Sequence, residues 1–306
     1  MNIIHKTLFL GILLSPLCAD LLPYDIFPTN YSDKVIQKIE IMDAKELIFE
    51  NIEGYALHEI SAATISDSKL YLLSDRAELF IFSLVLKDGA IEAFVPLEAF
   101  ELRDHKGRRL SKDKRDSEGM FIKNDRIYVS FEKEPRVDVF SMKGRELTEY
   151  KLPKKLRKEK SYESENKGLE SLAYSEKYGV LTAPEEALEN SKKRYHTIYS
   201  QEQNYRFLAS ASLSSMEFMD EDSLMVLERE YNGSNMVVIL KRVDLAACEH
   251  SICNTEVLAS FESKYGWRVD NFEALAKVGE REYIIFSDDN HSPNQKNLMV
   301  YFRVLP

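Results

Sequence analysis

Five glutamates stand at nearly regular intervals along the chain: Glu59, Glu118, Glu170, Glu217 and Glu273, separated by 59, 52, 47 and 56 residues. Each sits among small or apolar neighbours, as in "DNFEALA" (270–276), where an isolated buried carboxylate would be costly. Five such groups brought together cannot all stay ionised unless a cation or basic side chains lie between them. Clustered oxygen ligands suit calcium better than zinc, which takes nitrogen and sulfur. The same glutamates could instead accept backbone N–H groups of the next repeat and act as mortar.

Around each glutamate runs one template: small and apolar residues, a polar turn, an apolar strand, then Ser, Asp or Glu. Its copies cover 58–75, 116–132, 167–185, 214–228 and 270–288. The far end of the template adds Asp75, Glu132, Glu185, Glu228, Asp288 and Asp289. Basic residues recur beside these acids: Arg76 after "LLSD", Arg229 after "VLE" and Lys167 before "GLE". They either pair with the carboxylates or grip a phosphate.

The elements that must position these residues are short and apolar–polar alternating, as in "KLYLLSD", "RIYVSFE", "SLMVLER" and "EYIIFSDD". They read as half-buried strands, and helical periodicity over more than ten residues is scarce. A period near fifty with several strands per repeat is a propeller pattern. The expectation is an all-β chain forming a closed β-propeller of five or six blades, each of roughly four antiparallel strands. The innermost strands would line a channel, with the template glutamates ringed at one level. "VIQKIEIMDAKELIFEN" (35–51) would complete the last blade and remove the open edges.

With 41 basic against 51 acidic residues, nucleic acid is excluded as a partner. GxSxG, HExxH and GxxxxGK[ST] patterns are missing. His58, His105, His196, His250 and His291 are scattered without metal-ligand spacing, although His58 and His291 adjoin template positions. Two basic runs, 103–115 and 154–160, fall between repeats. They read as solvated loops, or as a basic rim that draws an anion toward the channel mouth. Asn232 opens an N-x-S triplet of a kind common by chance.

Lys6 followed by the apolar run Thr7–Leu17 and Cys18-Ala19 reads as a signal peptide over 1–19. Leu17 is bulky for a site that would leave Cys18 as a lipidated first residue. Residues 20–306 are then one propeller domain, monomeric, secreted or periplasmic, without stable membrane insertion. Cys248 and Cys253 remain; five apart around a turn, they fit a disulfide, whereas CxxxxC with His250 is an incomplete zinc set.

"HEIS", "LLSDR", "DSEGM", "NKGLESLA", "LMVLER", "DNFEALA" and "FSDDNHSPNQKNLMVYFRV" resemble, in order, the landmarks of the secreted phytase-like β-propeller proteins named for an esterase-like activity of phytase. The resemblance runs from about residue 45 to 304, and its most specific piece is the final one. It implies a periplasmic or secreted phosphoesterase-like hydrolase with an acidic channel mouth. Carried over by position, it marks Glu59, Asp75 and Arg76, then Glu118, Glu170, Glu228 and Arg229, and at the end Asp270, Asn271, Glu273, Asp288, Asp289 and Asn290. Ser171 and Ala274 stand where the family usually has Gly after the glutamate, and Ala62 where Gly follows "EIS", which narrows the approach to the carboxylates. On this reading Glu118, Glu170, Glu273 and Asp288 carry the reaction on a small phosphorylated ligand, while Arg76, Arg229 and Lys167 bind its anionic group. Glu59, Asp75, Glu118, Glu170, Glu228, Asp270, Glu273 and Asp289 are the calcium ligands. The competing expectation is a non-catalytic calcium- or ligand-binding propeller that serves as a scaffold for a partner protein.

Overall fold

A computed structural model describes residues 20–49, 51–164 and 166–306. The expected signal peptide lies outside them. The chain is all-β, and among the described residues no helix is long and apolar enough to cross a membrane.

After β1 (Asp20–Pro23), β2 (Val35–Ile36) and β3 (Ile39–Ile48), the strands come in antiparallel sets. The first is β4 (Ile60–Ser66), β5 (Lys69–Ser74), β6 (Glu78–Lys87) and β7 (Ala90–Glu101). The second is β8 (Ser117–Lys123), β9 (Arg126–Phe131), β10 (Arg136–Ser141) and β11 (Glu146–Tyr150). Next come β12 (Leu169–Ser175), β13 (Gly179–Pro184), β14 (Tyr195–Tyr199) and β15 (Asn204–Leu208). They share one sheet with β16 (Ser212–Phe218), β17 (Ser223–Tyr231), β18 (Met236–Glu249) and β19 (Ile252–Glu262), but the halves are joined only by the parallel bridge between Arg206 and Ile252. Finally β20 (Asn271–Lys277), β21 (Glu282–Asp288) and β22 (Leu298–Val304) are extended by β3, as the sequence anticipates. The Cys248–Cys253 disulfide closes the β18–β19 hairpin, so these thiols are not metal ligands.

The first strands of the sets, β4, β8, β12, β16 and β20, lie side by side in that order, and β20 lies against β4. Apolar clusters fill the spaces between successive sets. Phe80 and Phe82 meet Ala274, Ile284 and Phe286 across one such space; Leu73 and Leu79 meet Val129 and Phe140 across another. Several four-stranded sheets packed in this way fit a propeller. Because each sheet is sandwiched between two others, β5, β17 and β21 are buried on both faces rather than on one. That explains their near-continuous apolar runs, which the half-buried reading did not account for.

Every first strand carries a β-bulge near its start. The pairing slips between Ile60 and Ala62, Ser117 and Gly119, Leu169 and Ser171, Leu213 and Ser215, and Phe272 and Ala274. The residues set into the bulges are therefore Ser61, Glu118, Glu170, Ser214 and Glu273. A bulge re-aims its extra residue out of the ladder, and here it presents that residue toward neighbouring first strands. Gly119, next to Glu118, shows how close those strands come: a Cβ there would lie 2.6 Å from the backbone nitrogen of Leu172.

Candidate metal and phosphate site

Two tiers of side chains gather at the bulged end of the first strands. The bulge residues form one. The other comes from the ends of the second strands, where the registers align Asp75, Glu132, Glu185, Arg229 and Asp288. The N–H groups of Asp75, Glu132 and Glu185 donate to Glu59, Asp116 and Gly168, each two residues before a bulge. Ser212 and Asn271 hold the corresponding places opposite Arg229 and Asp288.

This alignment corrects the sequence reading at three points. Glu59 lies two residues before its bulge and Glu217 three after, so neither is level with Glu118, Glu170 and Glu273. Glu217 faces the other end of its strand, where burial pushes its carboxyl up to about 7 against the opposing effects of the Phe218 N–H and Lys277. Glu228 is fully buried between sheets, 2.5 Å from Lys241 Nζ and 3.4 Å from His196 Nε2, and Arg229 occupies the place parallel to Asp75. The hairpin spacing carries the signal that would have found this. Ser61 to Asp75 and Glu118 to Glu132 are 14 residues, while Glu170 to Glu185, Ser214 to Arg229 and Glu273 to Asp288 are 15.

Ser61 and Ser214 take the mortar role. Ser61 Oγ donates to the carbonyl of Ser117, at 2.6 Å, and Ser214 Oγ to that of Phe272, at 3.3 Å. In each case the acceptor immediately precedes the next strand's bulge. Backbone bonds from Ser117 to Asp75 and from Leu213 to Glu185 also cross between sets.

Among the described residues, two groups of three acids stand close enough to share a cation: Asp116, Glu118 and Glu132, and Glu132, Glu170 and Glu185, each offering one oxygen, with all three within 4.8 Å of one another. Calcium binds oxygens at about 2.3–2.6 Å, so two oxygens on one ion are at most about 5 Å apart, and both groups fit such a sphere. Asp75 adds a buried Oδ1 with no hydrogen-bond partner. The acids are electrostatically stressed. Burial, reinforced by Asp116 and Glu185, pushes Glu132 up to about 8. Burial, then Glu59 and Asp116, pushes Asp75 up to about 7, and burial with Glu273 pushes Asp288 up to about 8. Glu118 and Glu170 are raised well above the carboxylate range by burial and neighbouring acids.

Cations border the cluster. Lys133 pairs with Asp116 at 2.7 Å and Lys167 with Glu185 at 2.8 Å; Arg76 pairs with Glu59. Arg229 Nη2 lies 2.5 Å from Glu273 and 3.9 Å from Glu170. Against burial, which lowers it, the charges of Glu273 and Glu170 hold the Arg229 guanidinium ionised. A cavity of about 180 Å³ beside the cluster is lined by Glu132, Lys133, Tyr162, Ser164 and Gly168.

A family model for phytase-like proteins, described as "Esterase-like activity of phytase", matches residues 56–291. The chain belongs to the phytase-like family. No curated protein matches it. Among solved structures it is similar to one described as "Crystal Structure of Mitotic Checkpoint Complex", at 8% identity and a TM-score of 0.39, over 81% of this chain and 62% of that one.

Of the residues singled out from the sequence, this phytase-like chain brings Asp75, Glu118, Glu170, Glu273, Asp288, Lys167 and Arg229 together. Asp289 and Asp270 are occupied in loop anchoring. Asp289 lies 2.5 Å from His58 Nδ1 and accepts from the N–H groups of Glu59 and His291 and from Asn297 Nδ2. Asp270 accepts from Gln295 Nε2 and from the N–H groups of Lys296 and Asn271. Glu59 has a left-handed backbone, φ 54°, and its carboxylate is engaged by Arg76. Lys133 lies just past the 116–132 copy and had no signal of its own in the sequence; Asp116 opens that copy and the "DSEGM" landmark but was not singled out as a ligand.

Proposed function

We propose that the protein is a closed five-bladed propeller, secreted or periplasmic and monomeric, that hydrolyses a small phosphorylated substrate with the help of calcium. The observation that carries the reading is the pair of acid triads sharing Glu132 at the mouth of a phytase-like fold. Glu132 with Asp116 and Glu118, and with Glu170 and Glu185, would hold the ion or ions. A bound calcium would supply positive charge for phosphate oxygens and a more acidic water.

The chain's own residues do the rest. Lys133, which lines the cavity, and Lys167, on Glu185, can turn part of their charge from Asp116 and Glu185 to an entering phosphate. Arg229 is held by Glu170 and Glu273, so it fixes those carboxylates rather than binding substrate. Asp288, raised to about 8, keeps its proton near neutrality and suits donation to a leaving oxygen. Phosphate release from phytate and simple phosphomonoesters, with and without chelator, tests the proposal. Calcium-dependent turnover that falls at least about a hundredfold in Glu132→Gln supports it; turnover indifferent to chelator and to that change contradicts it.

A second reading has its own observation. Arg229, at the end of β17, bridges carboxylates from β12 and β20, the first strands on either side of β16, as a purely structural ring would require. On that reading calcium raises the melting temperature and no phosphoester is turned over.

A further inference from the structure

A cleft of about 380 Å³ opens on the outer side of the β12–β15 set, away from the channel. Its walls come from β14, β15, the chain after β11 and the tip of the disulfide-closed β18–β19 hairpin. Lys155, Lys192 and Arg206 line it, and no aspartate or glutamate does. Among the described residues none of these three cations pairs with a carboxylate. The other cavities are lined by acids as well: Glu132 and Glu134 stand with Lys133 in one, and in another Arg242 has Asp220 and Lys38 has Glu256, while Lys277 and Arg281 share that lining with Glu280.

In a chain of net charge −10, gathering three cations around one hollow costs Coulomb repulsion, and no described carboxylate stands within ion-pair distance to offset it. The arrangement is also held in place. The Arg206 N–H donates to the carbonyl of Ser251 and its Nη2 to that of His250, both at 2.7 Å, so the hairpin tip fixes the guanidinium's base. Lys155 lies over the Tyr199 ring at 5.6 Å, and Arg206 over Tyr195 at 6.0 Å. Aromatic faces steady the cations without neutralising them. Asn204 adds a neutral donor to the lining. Lys155 belongs to the basic run 154–160, which the sequence reading assigned to solvated loops or to a rim at the channel mouth; its lysine instead reaches this cleft.

We propose that the cleft is a second binding site, for a small soluble ligand bearing more than one phosphate-type anionic group. Three cations on separate walls match several anionic oxygens better than one, and the cleft shares no residue with the acidic triads. Because the site stands apart from the channel, it does not depend on the hydrolytic reading.

The test is calorimetric titration of the purified protein with inorganic pyrophosphate in excess chelator, so that no calcium occupies the channel. Wild type is expected to bind saturably and more weakly as salt rises. Lys155→Glu with Lys192→Glu, both exposed side chains, should weaken binding at least about tenfold with unchanged melting temperature. Glu132→Gln with Glu170→Gln should leave it intact. Absence of saturable binding, binding indifferent to the two charge reversals, or binding lost in the channel variant would each overturn the proposal.

Discussion

Around β16 and β20 the carboxylates of Glu170 and Glu273 have Arg229 at 3.9 and 2.5 Å, and the nearest bulge carries Ser214 rather than an acid. Between β8 and β12, Asp116, Glu118, Glu132 and Glu185 crowd together, joined by Glu170 at the Arg229 side, and among the described residues Asp116 and Glu185 pair only with Lys133 and Lys167. The same repeat positions thus meet the same charge problem in two ways. On one side the chain supplies a cation of its own; on the other it leaves the charge for something else to balance. A ring of repeats therefore need not be a ring of ligands, and the place for an external cation is the side where the built-in one is missing.

Removing the internal cation should break the comparison most severely. Arg229→Met leaves Glu170 and Glu273 buried without their partner, and a loss of about 3–5 kcal/mol is expected in urea unfolding at neutral pH. Calcium should be the next largest effect. At a hundred times its dissociation constant it adds about 2.7 kcal/mol, so the melting temperature should rise with calcium and fall with chelator. Glu132→Gln should remove that response, because Glu132 belongs to both triads.

The metal-free protein should also respond to pH with a defined sign. Glu132, Asp288 and Asp75 are pushed up to about 8, 8 and 7, so the folded state keeps their protons where the unfolded chain has released them. Their destabilising effect is absent below the ordinary carboxylate range and grows as pH rises toward about 8. Unfolding free energy measured without metal should therefore decline between about pH 4.5 and 8, and calcium should flatten that decline. The smallest effects belong to the mortar. Ser61→Ala and Ser214→Ala should each cost about 1 kcal/mol by denaturant titration and leave the calcium response unchanged.

Much of this was legible in the sequence because period and strand chemistry are coarse signals. The repeat near fifty, the strand-rich copies, the contribution of Ile39–Ile48 to the last sheet and the disulfide all follow from patterns that survive small misalignments. The site did not survive them. A bulge inserts one residue into a ladder and leaves no composition signal, so aligning the copies on glutamate placed Glu59 and Glu217 on a level occupied by Ser61 and Ser214. The same slip exchanged Glu228, buried with Lys241, for Arg229, which faces the mouth. Aligning on the distance between bulge and second-strand end would have avoided it, because the hairpin fixes that distance.

The account rests on an ion sitting on one side of the mouth. Crystals grown at about pH 8 and soaked in calcium, with anomalous difference density used to identify the ion, test this most directly. The predicted result is an ion bound by Glu132 together with Glu170 and Glu185, or with Asp116 and Glu118, and none on Glu273, which Arg229 already holds. Density for calcium only on Glu273, or no bound ion at saturating calcium, would contradict it.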